Sequence, residues 1–152
     1  MKVIYSCFGG AHSSVVTAAI HMGYLPMNRL PSKKEILTIP FYDKAENNEI
    51  GIPRCMGVDA NHRIICFMGL GHARHYYTTM LYEFYNEISV TKNKDVIIID
   101  VTSLLNGSTR LGGFLSRKLK IVGIGRPLTV FGIQRKYKYF TELVQNVKET
   151  VH

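Results

Sequence analysis

Residues 2–21, KVIYSCFGGAHSSVVTAAIH, hold the sharpest change of pattern in the chain. Residues 2–8 are apolar and aromatic enough for a buried strand. Gly9 and Gly10 then let the backbone turn sharply and let a ligand approach without Cβ interference. Residues 13–25 place Val16, Ala19, Ile20 and Gly23 on one helical face, and Pro26 limits that helix. Strand, glycine turn and helix in that order open an α/β domain. The helix start offers unpaired N–H groups and the positive end of its dipole, and Ser13 and Ser14 add hydroxyls. The expectation is a phosphate site built from Gly9, Gly10, Ala11, His12, Ser13 and Ser14. The plain alternative is a turn in which one serine only N-caps the helix.

The alternation continues. Ser32 and Glu35 have capping-box spacing at the start of a short helix that Pro40 ends. A polar connector, FYDKAENNEIG (41–51), follows. Residues 52–58 and 63–69 predict a hairpin around DANH, with 58 opposite 63 and Cys55 opposite Cys66. Residues 72–88 predict a long aromatic helix, whose tyrosines and phenylalanines at helical spacing suit packing better than base stacking. DVIIID (95–100) is a continuous apolar run, as a parallel strand covered on both faces requires. A short glycine-weakened helix over 109–119, a buried strand over 120–125 (KIVGIG) and a closing amphipathic helix over 128–147 complete the chain. The order β-α-α-β-β-α-β-α-β-α predicts one α/β domain over residues 1–152. Its sheet is mainly parallel and flanked by helices, a P-loop-like three-layer sandwich with an inserted hairpin.

The 152 residues suffice for one domain with a real core. A hydrophobic share of 46% and a charged share of 20% exclude a disordered chain. No apolar stretch has the length of a membrane span and the start makes a poor signal peptide, so the expected place is the cytoplasm with no membrane partner. In that compartment Cys7, Cys55 and Cys66 are expected as free thiols. The net charge of +8 is concentrated late, at Arg110, Arg117, Lys118, Lys120, Arg126, Arg135, Lys136 and Lys138. Such an excess suits an anionic small molecule or nucleotide; nucleic acid is open on charge, with no recognised motif behind it. The residues leave oligomeric state open.

Laid on the P-loop pattern G-x-x-x-x-G-K-[ST], Ser6 and Ala11 take the glycine positions, His12 the lysine and Ser13 the hydroxyl. Asp100, ending the VIIID strand, falls where a magnesium-organising carboxylate would sit, so a nucleotide with magnesium is the cofactor pair this likeness implies. A histidine is a weaker cation than the lysine it replaces, which favours anion binding over ATP hydrolysis. His12 is then a candidate acid, base or phosphate acceptor beside Asp100, with Arg110, Arg117 and Arg126 supplying charge. Low-molecular-weight tyrosine phosphatases place C-x5-R-[ST] at such a turn. Cys7 fits the cysteine, while Ser13 stands where the arginine would be.

The segments IYSCFGGAHSS, LP…LTIPFYDK and LGGFLSRKLKIVGIGRPL resemble an uncharacterised family of bacterial domains of unknown function from endospore-forming, mostly anaerobic bacteria. The resemblance covers nearly the whole chain, implies a short cytoplasmic protein and carries no assigned catalytic residue. The leading expectation is therefore a protein that binds a phosphorylated small molecule or nucleotide, with phosphoryl transfer or hydrolysis left open. One alternative is a non-catalytic regulatory or partner-binding module. The other is a thiol or zinc site drawn from Cys7, His12, Cys55, His72 and His75, although no zinc framework motif is present and the reading assigns no metal ligand.

Overall fold

The computed structural model describes residues 1–45, 49–73, 76, 79, 80, 83, 96–104 and 122–151. These form an α/β fold around a four-stranded sheet of order β2-β3-β1-β4. Strand β1 (Lys2–Cys7) is central, parallel to β3 (Ile64–Gly69) on one side and to β4 (Val96–Asp100) on the other. Strand β2 (Arg54–Val58) adds an antiparallel edge to β3. The sheet is mixed but mostly parallel, and its buried strands carry the apolar runs that double coverage demands.

Helix α1 (Ser13–His21) is buried at every position. Its Val15, Val16, Thr17 and Ile20 are poor helix formers, so packing rather than propensity holds it. Gly23, at φ +76°, ends it: the Gly23 and Tyr24 amides donate back to Ile20 and Ala19 in a Schellman arrangement. Helix α2 (Lys33–Thr38) carries the expected capping box between Ser32 and Glu35. The long helix α3 (Val122–Thr150) packs against α1 and α2 and brings Val130, Ile133, Tyr137, Phe140, Val144 and Val147 into the core. The core on that face joins Val3, Tyr5 and Cys7 of β1 with Ile65 and Phe67 of β3 and Ile20 of α1. The opposite sheet face has its own buried cluster of Ile4, Cys66, Met68, Leu70, Val96 and Ile98.

Three expectations need correcting. The strand expected over 120–125 is helix from Val122 onward, continuous with the helix expected over 128–147. A short apolar run fits a buried strand or a buried helix equally, and here the helical neighbours prevail. The free thiols expected at Cys55 and Cys66 are a disulfide, leaving Cys7 free and buried. The two cysteines face each other as the hairpin register requires. Third, Val58 pairs with Ile64 rather than with 63, because a bulge between Cys55 and Gly57 shifts the register. In the region of the expected aromatic helix, Gly71–Ala73 form a 3-10 turn and Tyr76, Thr79, Met80 and Glu83 are helical. Tyr76 is 81% exposed, so it packs in no core. The helix expected over 109–119 lies outside the described residues. Among the described residues, no helix is long and apolar enough to cross a membrane.

A buried polar network ties the far end of the sheet together. The Tyr5 hydroxyl lies 2.7 Å from His21 Nδ1, and His21 Nε2 lies 3.0 Å from Asp59 Oδ2. Arg63 donates through Nε to Asp59 at 2.7 Å and through Nη1 to the Val151 carbonyl at 2.6 Å. Burial pushes the Asp59 carboxyl up, but hydrogen bonds from Arg63 and His21 outweigh it and hold it at about 2. Burial lowers the His21 pKa despite the hydrogen bond to Asp59.

Candidate functional site at the first strand-to-helix turn

The loop after β1 is pressed onto the end of β3. The Leu70 and Gly71 amides donate to the Cys7 and Phe8 carbonyls, each at 2.9 Å. Gly10 has φ +65°, and a Cβ there would lie 2.5 Å from the Gly69 amide nitrogen. A Cβ on Gly69 would lie 2.7 Å from the Gly9 carbonyl carbon. The close approach that glycine permits here is backbone on backbone. His72, in the turn after β3, packs edge-on against Phe8 with centroids 4.8 Å apart. His75, the other histidine of that segment, lies outside the described residues.

Helix α1 starts without a side-chain cap. Its N-cap position is His12, which makes no capping hydrogen bond, and no acidic residue stands in the first turn. Neither serine plays the N-cap part. Ser14 Oγ lies 3.1 Å from Cys7 Sγ, which also accepts the Gly10 amide at 3.2 Å. Ser13 is fully buried, and among the described residues its Oγ has no hydrogen-bond partner. A buried hydroxyl left unpaired costs roughly 1–3 kcal/mol. On a helix the Cα–Cβ bond tilts toward the amino end, so the Ser13 side chain leans toward the start of α1.

His12 is held from outside the loop. Its Nε2 lies 3.0 Å from Asp43 Oδ1, and Arg126 Nε donates to Asp43 Oδ2 at 2.9 Å. The Asp43 side chain is 2% exposed, whereas that of Arg126 is 44% exposed. Asp43 reaches this place through an unusual connector. Phe41 and Asp43 both have left-handed backbones, at φ 68° and 56°, a conformation that costs non-glycine residues energy. The Asp43 amide repays part of that by donating to the Ala11 carbonyl at 2.9 Å. Between them Tyr42 packs edge-on against His12 and donates to Thr129 Oγ1 at 2.9 Å. Burial raises the Tyr42 pKa well above the ordinary tyrosine range, so it stays a neutral donor.

The structure thus gathers Gly9, Gly10, Ala11, His12, Ser13, Ser14 and Arg126 around one turn. Asp100 ends the neighbouring strand β4 at the same carboxyl end of the sheet. It is in register with Ser6, on the strand face opposite Cys7, and it accepts hydrogen bonds from the Thr102 amide and hydroxyl. Arg110 and Arg117 lie outside the described residues. Cys55, one of the candidate zinc ligands, is consumed by the disulfide. Among the described residues, no three His, Cys, Asp or Glu side chains are grouped to hold a metal. Asp43 is the participant that sequence reasoning missed. Its only signal was one of three acids in a polar connector, and its reach depends on two left-handed residues that no local pattern announces.

No curated protein and no solved structure matches the chain. A family profile, described as protein of unknown function (DUF3189), matches residues 2–149, and the chain therefore belongs to that family.

Proposed function

We propose that the turn between β1 and α1 binds an oxyanion of the phosphate class, carried on a small molecule or nucleotide. One observation carries this reading: Ser13 Oγ is buried without a partner at the start of an uncapped helix. Native proteins rarely leave such a group unsatisfied, and an anion's oxygens would accept from it and from the first-turn amides together. The missing lysine has a substitute. Arg126 reaches the turn from α3, fixed through its Nε by the same carboxylate that holds His12. With Nε2–H donating to Asp43, neutral His12 keeps Nδ1 as an acceptor, and protonated His12 turns it into a second donor.

The P-loop-like strand, turn and helix support anion binding more than magnesium-nucleotide hydrolysis. Asp100 belongs to the opposite sheet face and is engaged with Thr102. The test is thermal unfolding of the full chain with phosphate, tungstate, sugar phosphates and nucleotides, each with and without magnesium. A ligand at 100 times its Kd stabilises the fold by roughly 2.7 kcal/mol. Wild type should show such a rise, and Arg126→Ala and His12→Ala should reduce it. No rise with any phosphate compound refutes the proposal.

A further inference from the structure

The thiol beneath this turn is the other group that the fold places against the helix start. Cys7 ends β1 and is 4% exposed. Two groups already converge on Sγ: the Gly10 amide donates to it at 3.2 Å, and the Ser14 hydroxyl lies 3.1 Å away, able to donate once the sulfur is a thiolate. Ser13 Oγ, buried and unpartnered, stands on the same first turn. A sulfur, a helix dipole and an unused hydroxyl arranged around one loop are the parts of a covalent phosphoryl acceptor: nucleophile, charge stabilisation and an oxygen-binding donor. Neither β1 nor α1 needs a cysteine for packing, since any small apolar residue would fill the place.

We infer that Cys7 is a nucleophile toward phosphomonoesters, an inference that rests on the oxyanion reading of the same turn. The sulfur attacks phosphorus as its thiolate. A P–S bond forms, the P–O bond to the leaving group breaks, and the departing oxygen keeps the electron pair and takes a proton from water. Water then attacks the thiophosphoryl group. The P–S bond breaks with its electron pair returning to sulfur, inorganic phosphate leaves, and the attacking water releases its proton to the medium. Ser14 donates to the sulfur as negative charge returns to it, and Arg126, anchored by Asp43, faces the phosphoryl oxygens from outside the loop. Phe8, the residue after Cys7, is 44% exposed and packed against His72, an apolar rim that suits an aryl ester.

The test uses the full chain, p-nitrophenyl phosphate as substrate and tungstate as the anion probe. Wild type should release nitrophenol, and acid quenching should leave one phosphoryl group on the Cys7 peptide. Cys7→Ser should lose turnover by roughly a thousandfold or more while still being stabilised by tungstate. Ser14→Ala, which keeps the thiol, should slow turnover and prolong the phosphorylated state. If tungstate stabilises both wild type and Cys7→Ser but neither turnover nor modification is seen, or if Cys7→Ser turns over like wild type, the nucleophile is refuted and the anion site stands. If tungstate does not stabilise wild type, both fall. Should Cys7→Ser fail to fold, iodoacetate labelling of wild type without reductant decides, because Cys55 and Cys66 are tied to each other. Labelling of Cys7 should be blocked by saturating tungstate, and an unchanged rate overturns the inference.

Discussion

Replacing Gly10 by alanine puts a methyl group where the backbone of Gly69 already lies. Two separable costs follow. The left-handed backbone at φ +65° costs an L-residue roughly 1–2 kcal/mol. The new Cβ would lie 2.5 Å from the Gly69 nitrogen and 3.0 Å from the Met68 carbonyl carbon, both backbone atoms that cannot swing aside as a side chain can. Overpacking of that kind costs roughly 1–3 kcal/mol more, for a total of about 2–5 kcal/mol. Gly23 supplies the control, because its φ is +76° and nothing lies within 4 Å of its added Cβ. Gly23→Ala should therefore show only the conformational cost of about 1 kcal/mol. Urea unfolding of both variants, compared at constant slope, isolates the contact between the loop and β3. Equal midpoints for Gly10→Ala and Gly23→Ala would refute the packed loop and with it the fixed position of Cys7 and His12.

Other outcomes follow from the same contacts. Stability should fall as pH drops below about 6.5, because unfolded His21 then binds a proton that buried His21 resists. A second loss should come between about pH 4 and the Asp59 value of about 2, as its favoured carboxylate is protonated; Asp59→Asn should flatten that lower limb in a series of melting curves. Reducing the Cys55–Cys66 bond, which spans 11 residues, should lower stability by about 2–3 kcal/mol through the freed unfolded chain, read as a urea midpoint with and without reductant. An unchanged midpoint after complete reduction would contradict that. Tyr42→Phe, which removes the donor to Thr129, should cost about 0.5–1.5 kcal/mol in the same assay.

Local chemistry made much of this molecule legible. The glycine pair, the Ser32–Glu35 box and the VIIID run each act over a few neighbouring residues, and each lies where its local physics directs. The hairpin was legible down to Cys55 facing Cys66, but not the bulge beside it or the bond between the sulfurs, which depend on three-dimensional geometry and oxidation. KIVGIG misled because its apolar density lacks a period long enough to separate strand from helix. The site divides in the same way. Residues 9–14 announce themselves through composition, whereas Asp43 and Arg126 join through a contact spanning 83 positions.

The reach of α3 has a kinetic meaning. Its ties to the site region, Arg126 to Asp43 and Thr129 to Tyr42, close loops of 83 and 87 residues. Such distant pairings form late, after local structure has already consolidated. The β1–α1 loop can be shaped by its own glycines and by β3, but its guanidinium arrives only when the last helix docks. An opening that detaches α3 would part Arg126 from Asp43 and Thr129 from Tyr42 together. Amide exchange along α3 therefore doubles as a readout of how often these two long-range ties are broken.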